Sequence, residues 1–127
     1  MITKEYKSGQ VIFEEGALEF CMYDIRRGRV GVYSAYGTPD EKLIAELGEG
    51  RTVGEMGLIE RAPRSATVVV LEDGTILEEI REDGLKDFFL RQPEKLLLIM
   101  RDMSSRLRET TEKLADACRR IHEIENS

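Results

Sequence analysis

The sequence predicts a mainly β domain with flanking helices, and three observations carry that prediction. Short runs rich in β-branched and aromatic residues recur between residues 10 and 80, separated by glycine-containing turns. After Ile80 the apolar residues change their period from two to about three and a half. The chain has 127 residues, enough for one domain with a real core and too few for a second of any size.

The first run covers residues 10–13 and stops before Glu15-Gly16. The second, 20–26, ends at Arg27-Gly28, and the third, 29–36, ends in the turn Tyr36-Gly37-Thr38-Pro39-Asp40. The fourth, 42–47, runs into Leu47-Gly48-Glu49-Gly50. The last two, 67–72 and 75–80, are separated by Asp73-Gly74. That dipeptide suits a type I′ turn, whose central residues need positive φ, so a hairpin is expected there. Many short strands at even spacing point to a sandwich or barrel-like roll rather than a βαβ sheet. Residues 54–66, Gly54-Glu55-Met56-Gly57-Leu58-Ile59-Glu60-Arg61-Ala62-Pro63-Arg64-Ser65-Ala66, interrupt the rhythm, and their first half has room for one or two helical turns.

A short helix is expected over 83–91, ending before Pro93, and a long one from Glu94, with proline close to its start. The domain therefore divides into a β part, residues 1–93, and a helix, residues 94–127. In that helix Leu96, Met100, Met103, Leu107, Thr110, Leu114, Ala117, Ile121 and Ile124 alternate spacings of four and three without a slip. Such a seam over about four heptads reads as a coiled coil, and its rod of roughly 48 Å is longer than a lid on the β part needs. Arg106, Lys113 and Arg120 flank the seam on one side and Glu125 on the other, which in a parallel pair sets Arg120 of one chain against Glu125 of its partner. A parallel homodimer through residues 96–124 is expected.

Charge and composition exclude several classes of function. The formal net charge is −6, and residues 94–127 carry seven basic and seven acidic side chains, so the whole excess lies in residues 1–93. Nucleic-acid affinity comes mainly from Lys and Arg neutralising phosphates, so this balance argues against DNA as the partner. Cys21 and Cys118 make no CxxC and no disulfide framework, and no apolar run approaches the ~20 residues that span a bilayer. The polar start Met1-Ile2-Thr3-Lys4-Glu5 is unlike a secretory signal, and a reducing cytoplasm is expected. No Walker loop, His-x-x-x-His pair or nucleophile elbow occurs, and the single histidine, His122, lies among charged neighbours near the helix end. The chain is not expected to be an enzyme or to hold a metal or cofactor.

Binding chemistry concentrates in residues 54–66. A short helix starting near Gly54 leaves backbone N–H groups and a positive dipole end free for an anion. Gly54 and Gly57 would allow a close backbone approach, Arg64 offers a guanidinium fork suited to phosphate, and Ser65 adds a hydroxyl donor. Glu55 and Arg64 in one pocket make sense if each takes its own ligand group, the arginine a phosphate and the carboxylate a sugar hydroxyl. The residues alone thus point to a phosphorylated sugar or a nucleotide, and leave open that Glu55 and Arg64 simply pair to pin a loop.

The string Gly54-Glu55-Met56-Gly57-Leu58-Ile59, followed by Pro63-Arg64-Ser65-Ala66, resembles the phosphate-binding cassette of the cyclic nucleotide-binding domain family. Gly9, Gly16, Gly28, Gly31, Tyr23, Ile25, Val30, Val32 and Leu47-Gly48-Glu49-Gly50 extend the likeness, which runs from about Tyr6 to Ile124. The resemblance implies a double-stranded β-helix, a jelly-roll-like β-roll, with a short phosphate-binding helix and a long dimerisation helix. It implies a cyclic phosphate held by Arg64, Ser65 and helix amides, and a ribose hydroxyl accepted by Glu55. Gly54, Met56 and Ala66 complete the expected cassette contacts. Leu107-Arg108-Glu109-Thr110-Thr111-Glu112-Lys113-Leu114 is similar to the central helix of the family's catabolite activators, where adjacent hydroxyls contact adenine. Thr110 and Thr111 are therefore expected to meet the base, with cyclic AMP as the ligand and cyclic GMP as the alternative; a threonine that only fixes coiled-coil register is the plainer account.

Two departures stand out. Arg51-Thr52-Val53 lacks the aromatic pair often found before the cassette, and Ser127 follows the long helix where the family's transcription factors continue into a helix-turn-helix domain. The expectation is a stand-alone cytoplasmic cyclic nucleotide-binding module, a homodimer that signals to an unidentified downstream protein and does not bind DNA by itself. The alternatives are a β-roll used for dimerisation or protein interaction, its pocket empty or holding another small anion, and the sensor portion of a longer transcription regulator.

Overall fold

In the computed structural model, which describes residues 2–126, eight strands and three helices follow one another along the chain. The strands are β1 (Ile2–Tyr6), β2 (Val11–Phe13), β3 (Cys21–Arg27), β4 (Arg29–Ser34), β5 (Lys42–Gly48), β6 (Thr52–Val53), β7 (Thr67–Val70) and β8 (Thr75–Arg81). The helices are α1 (Glu55–Glu60), α2 (Glu82–Arg91) and α3 (Pro93–Glu125). Two compact units result, Met1–Pro93 and Glu94–Ser127. Their outermost residues, Met1 and Ser127, lie outside the described residues.

The first unit is the expected mainly β architecture. One four-stranded sheet has the order β1-β8-β3-β6 and the other β2-β7-β4-β5, with every pairing antiparallel. Successive strands change sheets at every connection except β4 to β5, which forms the hairpin where the chain doubles back. That alternation is the jelly-roll winding of a double-stranded β-helix. The period-two residues Cys21, Tyr23 and Ile25 of β3 and Val68 and Val70 of β7 share one core cluster with Phe13, Val30, Val53 and Leu77, as a pleated strand demands when one face is buried. Met22 and Ile80, paired across β3 and β8, are fully buried, as is Phe88 of α2, the helix that packs on β8.

One expectation fails here. Asp73-Gly74 does not close a hairpin, because β7 lies between β2 and β4 in one sheet while β8 lies between β1 and β3 in the other. The dipeptide forms a corner between sheets instead. Gly74 takes positive φ and donates to the Tyr6 carbonyl at 3.0 Å, and Asp73 accepts from the Ser8 amide at 2.8 Å. All four residues of β7 are buried, so both of its edges and both of its faces are already used by its own sheet and core. Arg27-Gly28 is a second corner packed against the first: a Cβ on Gly28 would stand 2.2 Å from Thr75 Oγ1. The residues expected as strand at 10–13 and 20–26 shift by about one position, and β1 and β6 add strands that the alternation of the sequence did not reveal.

The second unit holds α3 after its first residue, Pro93; of the helix's 33 residues Ile99 is the one buried among those described. Leu96, Met100, Leu107, Leu114, Ile121 and Ile124 of the heptad seam are all exposed. Arg120, placed beside the seam, pairs within its own helix with Asp116 at 3.0 Å.

Candidate functional site

The cassette residues come together where α1 follows β6. Gly54, at φ +83°, caps the start of α1, a conformation that β-carbon-bearing residues rarely adopt, and Arg61 ends the helix at φ +53°. Within the six-residue helix Glu55, Gly57 and Leu58 are buried while Met56 and Ile59 are exposed. The helix is too short to stand by propensity alone, so its buried face is what holds it. Ala66 is buried at the entry to β7, and Ser65 beside it is exposed.

Arg64 is the centre of this arrangement. Its side chain is almost entirely buried, a costly place for a cation unless its donors are matched. Nη1 donates to the Gly54 carbonyl at 2.9 Å and Nη2 to the Cys21 carbonyl at 2.7 Å, with Cys21 Sγ 3.3 Å away. Phe13 lies under the guanidinium, its ring centroid 4.0 Å from Cζ, and the half-exposed Glu19 carboxylate stands 4.0 Å from Nη2. The backbone is pinned as well, since Arg64 N donates to Ala17 O and Gly16 N to Arg64 O, each at 2.8 Å. Buried Nε has no hydrogen-bond partner among the described residues.

This geometry changes the reading of the two glycines. A Cβ on either Gly54 or Gly57 would lie 2.7 Å from Arg64 Nη1. The missing side chains make room for the arginine, where the sequence suggested room for a ligand. Phe13, Cys21 and Glu19 were not among the residues expected at the site. The cation's need for partners was a signal that some must exist, but their positions, more than 40 residues earlier in the chain, follow only from the sheet topology.

Burial pushes the Cys21 thiol up from its ordinary value, outweighing the pull of Arg64, so the sulfur beside the guanidinium is neutral. Burial likewise raises the Tyr23 hydroxyl well above the usual tyrosine range. A wide depression of about 390 Å³ lies between Val11, Glu14, Glu15, Ala35, Tyr36 and Thr67; its two glutamates make it a poor seat for a phosphate.

Thr110 and Thr111 are exposed on α3, and each hydroxyl donates back to a carbonyl one turn earlier, of Arg106 and Leu107 respectively, at 2.9 Å. They belong to the second unit. Among the described residues no group of His, Cys, Asp and Glu is placed to hold a metal, and no helix is long and apolar enough to cross a membrane.

The roll, the six-residue helix after a left-handed glycine and the buried arginine ten residues on agree with a sequence comparison in which the model of the cyclic nucleotide-binding domain matches residues 3–92. The chain belongs to the cyclic nucleotide-binding domain family. A cyclic AMP receptor protein of Thermus thermophilus is 36% identical to this member over 80 residues, covering 63% of this chain and 37% of that protein. A cAMP-dependent protein kinase regulatory subunit of Dictyostelium discoideum is 33% identical over 73 residues, 58% of this chain and 22% of its own length. The chain therefore spans well under half the length of these relatives. Among solved structures, the Thermus thermophilus catabolite activator protein superposes with a TM-score of 0.74 at 28% identity, over 89% of this chain and 53% of that one. The cAMP-bound form of the EAL enzyme Bd1971 superposes with a TM-score of 0.64 at 32% identity, over 90% of this chain and 30% of that one.

Proposed function

We propose that this cyclic nucleotide-binding domain takes up a 3′,5′-cyclic nucleotide, cyclic AMP ahead of cyclic GMP, and acts as a non-enzymatic cytoplasmic regulator in a homodimer. The observation that carries the reading is Arg64, a cation buried beside the six-residue helix α1 and its backbone amides. The cyclic phosphate is read as the anion that Arg64, the exposed Ser65 hydroxyl and those amides share, with Ala66 behind them, while Gly54, Glu55 and Met56 line the sugar side and Glu55 accepts the ribose hydroxyl. Thr110 and Thr111 would exchange their internal hydrogen bonds for the base, one from each protomer.

The exposed stripe on α3 supports the dimer, because an apolar seam of six large side chains gains most when a second copy covers it. Basic Arg106, Lys113 and Arg120 on one flank would repel each other in an antiparallel pair, which favours the parallel one. Ligand binding and dimer geometry are then linked, and a downstream protein that prefers one geometry changes ligand affinity by the same factor. DNA is not expected to bind this acidic chain with sequence specificity.

Titration calorimetry with cyclic AMP and cyclic GMP tests the proposal: binding below millimolar concentration that Arg64→Ala abolishes is expected, and no heat with either nucleotide overturns it. The engagement of both Nη atoms of Arg64 by the Gly54 and Cys21 carbonyls favours a second reading, in which the arginine is a structural pin and the roll serves protein interaction or another small anion. Undiminished nucleotide binding by Arg64→Ala would support that pin. An in-frame coding sequence past Ser127 would make the chain the sensor portion of a longer regulator.

A further inference from the structure

We infer that Phe13 is a positioning residue for the phosphate site, a ring that fixes the plane of the Arg64 guanidinium and thereby sets affinity for the ligand. The inference rests on the reading of Arg64 as a phosphate partner. Strand β2 carries the first piece of it. Val11 pairs with Val69, but Phe13 pairs with Val68, so the register slips by one residue between them. A slip of this kind turns a side chain out of the regular alternation, and it leaves Phe13 buried with its ring 4.0 Å from Arg64 Cζ. The ring is itself stacked with Tyr23, 6.2 Å between centroids and 25° between planes.

The chemistry of the other contacts gives the ring its role. The carbonyls of Gly54 and Cys21 engage Nη1 and Nη2, with Cys21 Sγ and the Glu19 carboxylate also beside Nη2; all of these gather at the far end of the guanidinium and restrain the tilt of its plane less than a ring against its face does. The face of an aromatic ring removes the remaining freedom, and a desolvated cation over a ring is held more strongly than an exposed one. The same ring would also be 3.1 Å from a Cβ on Gly54, so ring, glycine and guanidinium form one fitted stack. A fixed plane holds the guanidinium donors, with buried Nε the one that has no partner among the described residues, in a constant orientation.

The test combines ligand affinity with a direct signal from the arginine. Phe13→Leu keeps an apolar side chain of similar size and is expected to weaken cyclic nucleotide binding roughly tenfold, with Phe13→Tyr restoring most of that loss. In an Arg64→Lys background the Phe13→Leu step should cost no more than about twofold, because the planar cation is gone. The Arg64 Nε–H resonance of wild-type protein should show a ring-current shift that Phe13→Leu removes and Phe13→Tyr keeps. Thermal unfolding identifies a variant that fails to fold, in which case Phe13→Tyr and the wild-type resonance still decide. Unchanged affinity in folded Phe13→Leu, an equal loss in both backgrounds, or an unshifted Nε–H signal overturns the inference. A wild-type chain that binds neither nucleotide overturns the reading of the site and the ligand half of the inference, and the resonance then judges the positioning half alone.

Discussion

The roll and the long helix deal with apolar surface in opposite ways. In the roll Met22, Val30, Ile80 and Phe88 are completely buried, and the cation at its candidate site, Arg64, is almost as deeply buried. Along α3, Leu107, Leu114 and Ile124 keep about two thirds or more of their surface in solvent. Fully burying such a side chain is worth roughly 1.5–3 kcal/mol, so the roll has collected that stabilisation within its own chain and the helix seam has not. The difference teaches that the two units depend on different conditions: the roll on its sequence, the seam on what covers it.

The sharpest way to break this comparison is at the seam. Leu107→Glu with Leu114→Glu is expected to convert a dimer to a monomer in sedimentation velocity, while the unfolding transition of the roll moves by less than about 0.5 kcal/mol. A variant that stays dimeric would mean the seam is not the interface. The reciprocal change is Arg64→Ala, which takes a charged donor away from the Gly54 and Cys21 carbonyls. It should cost about 3 kcal/mol of stability by urea unfolding and at least a hundredfold in nucleotide affinity, with the dimer intact.

Gly57→Ala separates fit from stability within the roll. Its backbone does not need positive φ, and alanine in a helix interior ordinarily gains about 0.5–1 kcal/mol over glycine. The 2.7 Å approach to Arg64 Nη1 should cancel that gain and weaken ligand binding roughly tenfold by calorimetry. Thr110→Val acts on the helix side, where it should tighten the dimer by a few tenths of a kcal/mol, as a hydroxyl leaves the seam, and lower the preference for cyclic AMP over cyclic GMP several-fold.

The smallest effect is in alkaline solution. Burial raises the Cys21 thiol above its ordinary 9.0, and the Tyr6 and Tyr23 hydroxyls above 10.0. Between those ordinary values and the raised ones the unfolded chain binds fewer protons than the folded one, so stability, complete below about pH 9, should decline as pH rises. Urea unfolding at pH 8 and pH 10 checks the sign; equal stabilities would mean these groups ionise as readily folded as unfolded.

Much of the site was readable before any coordinates. Gly54, Glu55 and Arg64 carry chemistry that the anion argument singles out by residue type, and the structure gathers them around α1. Phe13 and Cys21 were not readable, since nothing in a β-type run marks one apolar residue as the floor under a cation. Strand β1 escaped for a related reason: Ile2–Tyr6 is exposed or half-buried along its length, so it has no apolar face to betray it. The Asp73-Gly74 hairpin was misread because a tight turn specifies local dihedral angles and not the sheet that the next strand joins.

What the sequence alone determined is therefore local and periodic: the strand runs, the heptad seam of α3, the acidic balance of residues 1–93 and the cassette's residue types. These are visible because alternation, spacing and charge are properties of neighbours along the chain. Tertiary structure alone decided which sheet each strand entered, that Gly54 and Gly57 make way for Arg64, and that Phe13 from β2 lies beneath it. The Phe13 contact joins residues 51 positions apart and the glycine contacts depend on where Arg64 is drawn, so both exist only once the whole roll has closed, because the burial that rewards them is shared by both sheets at once.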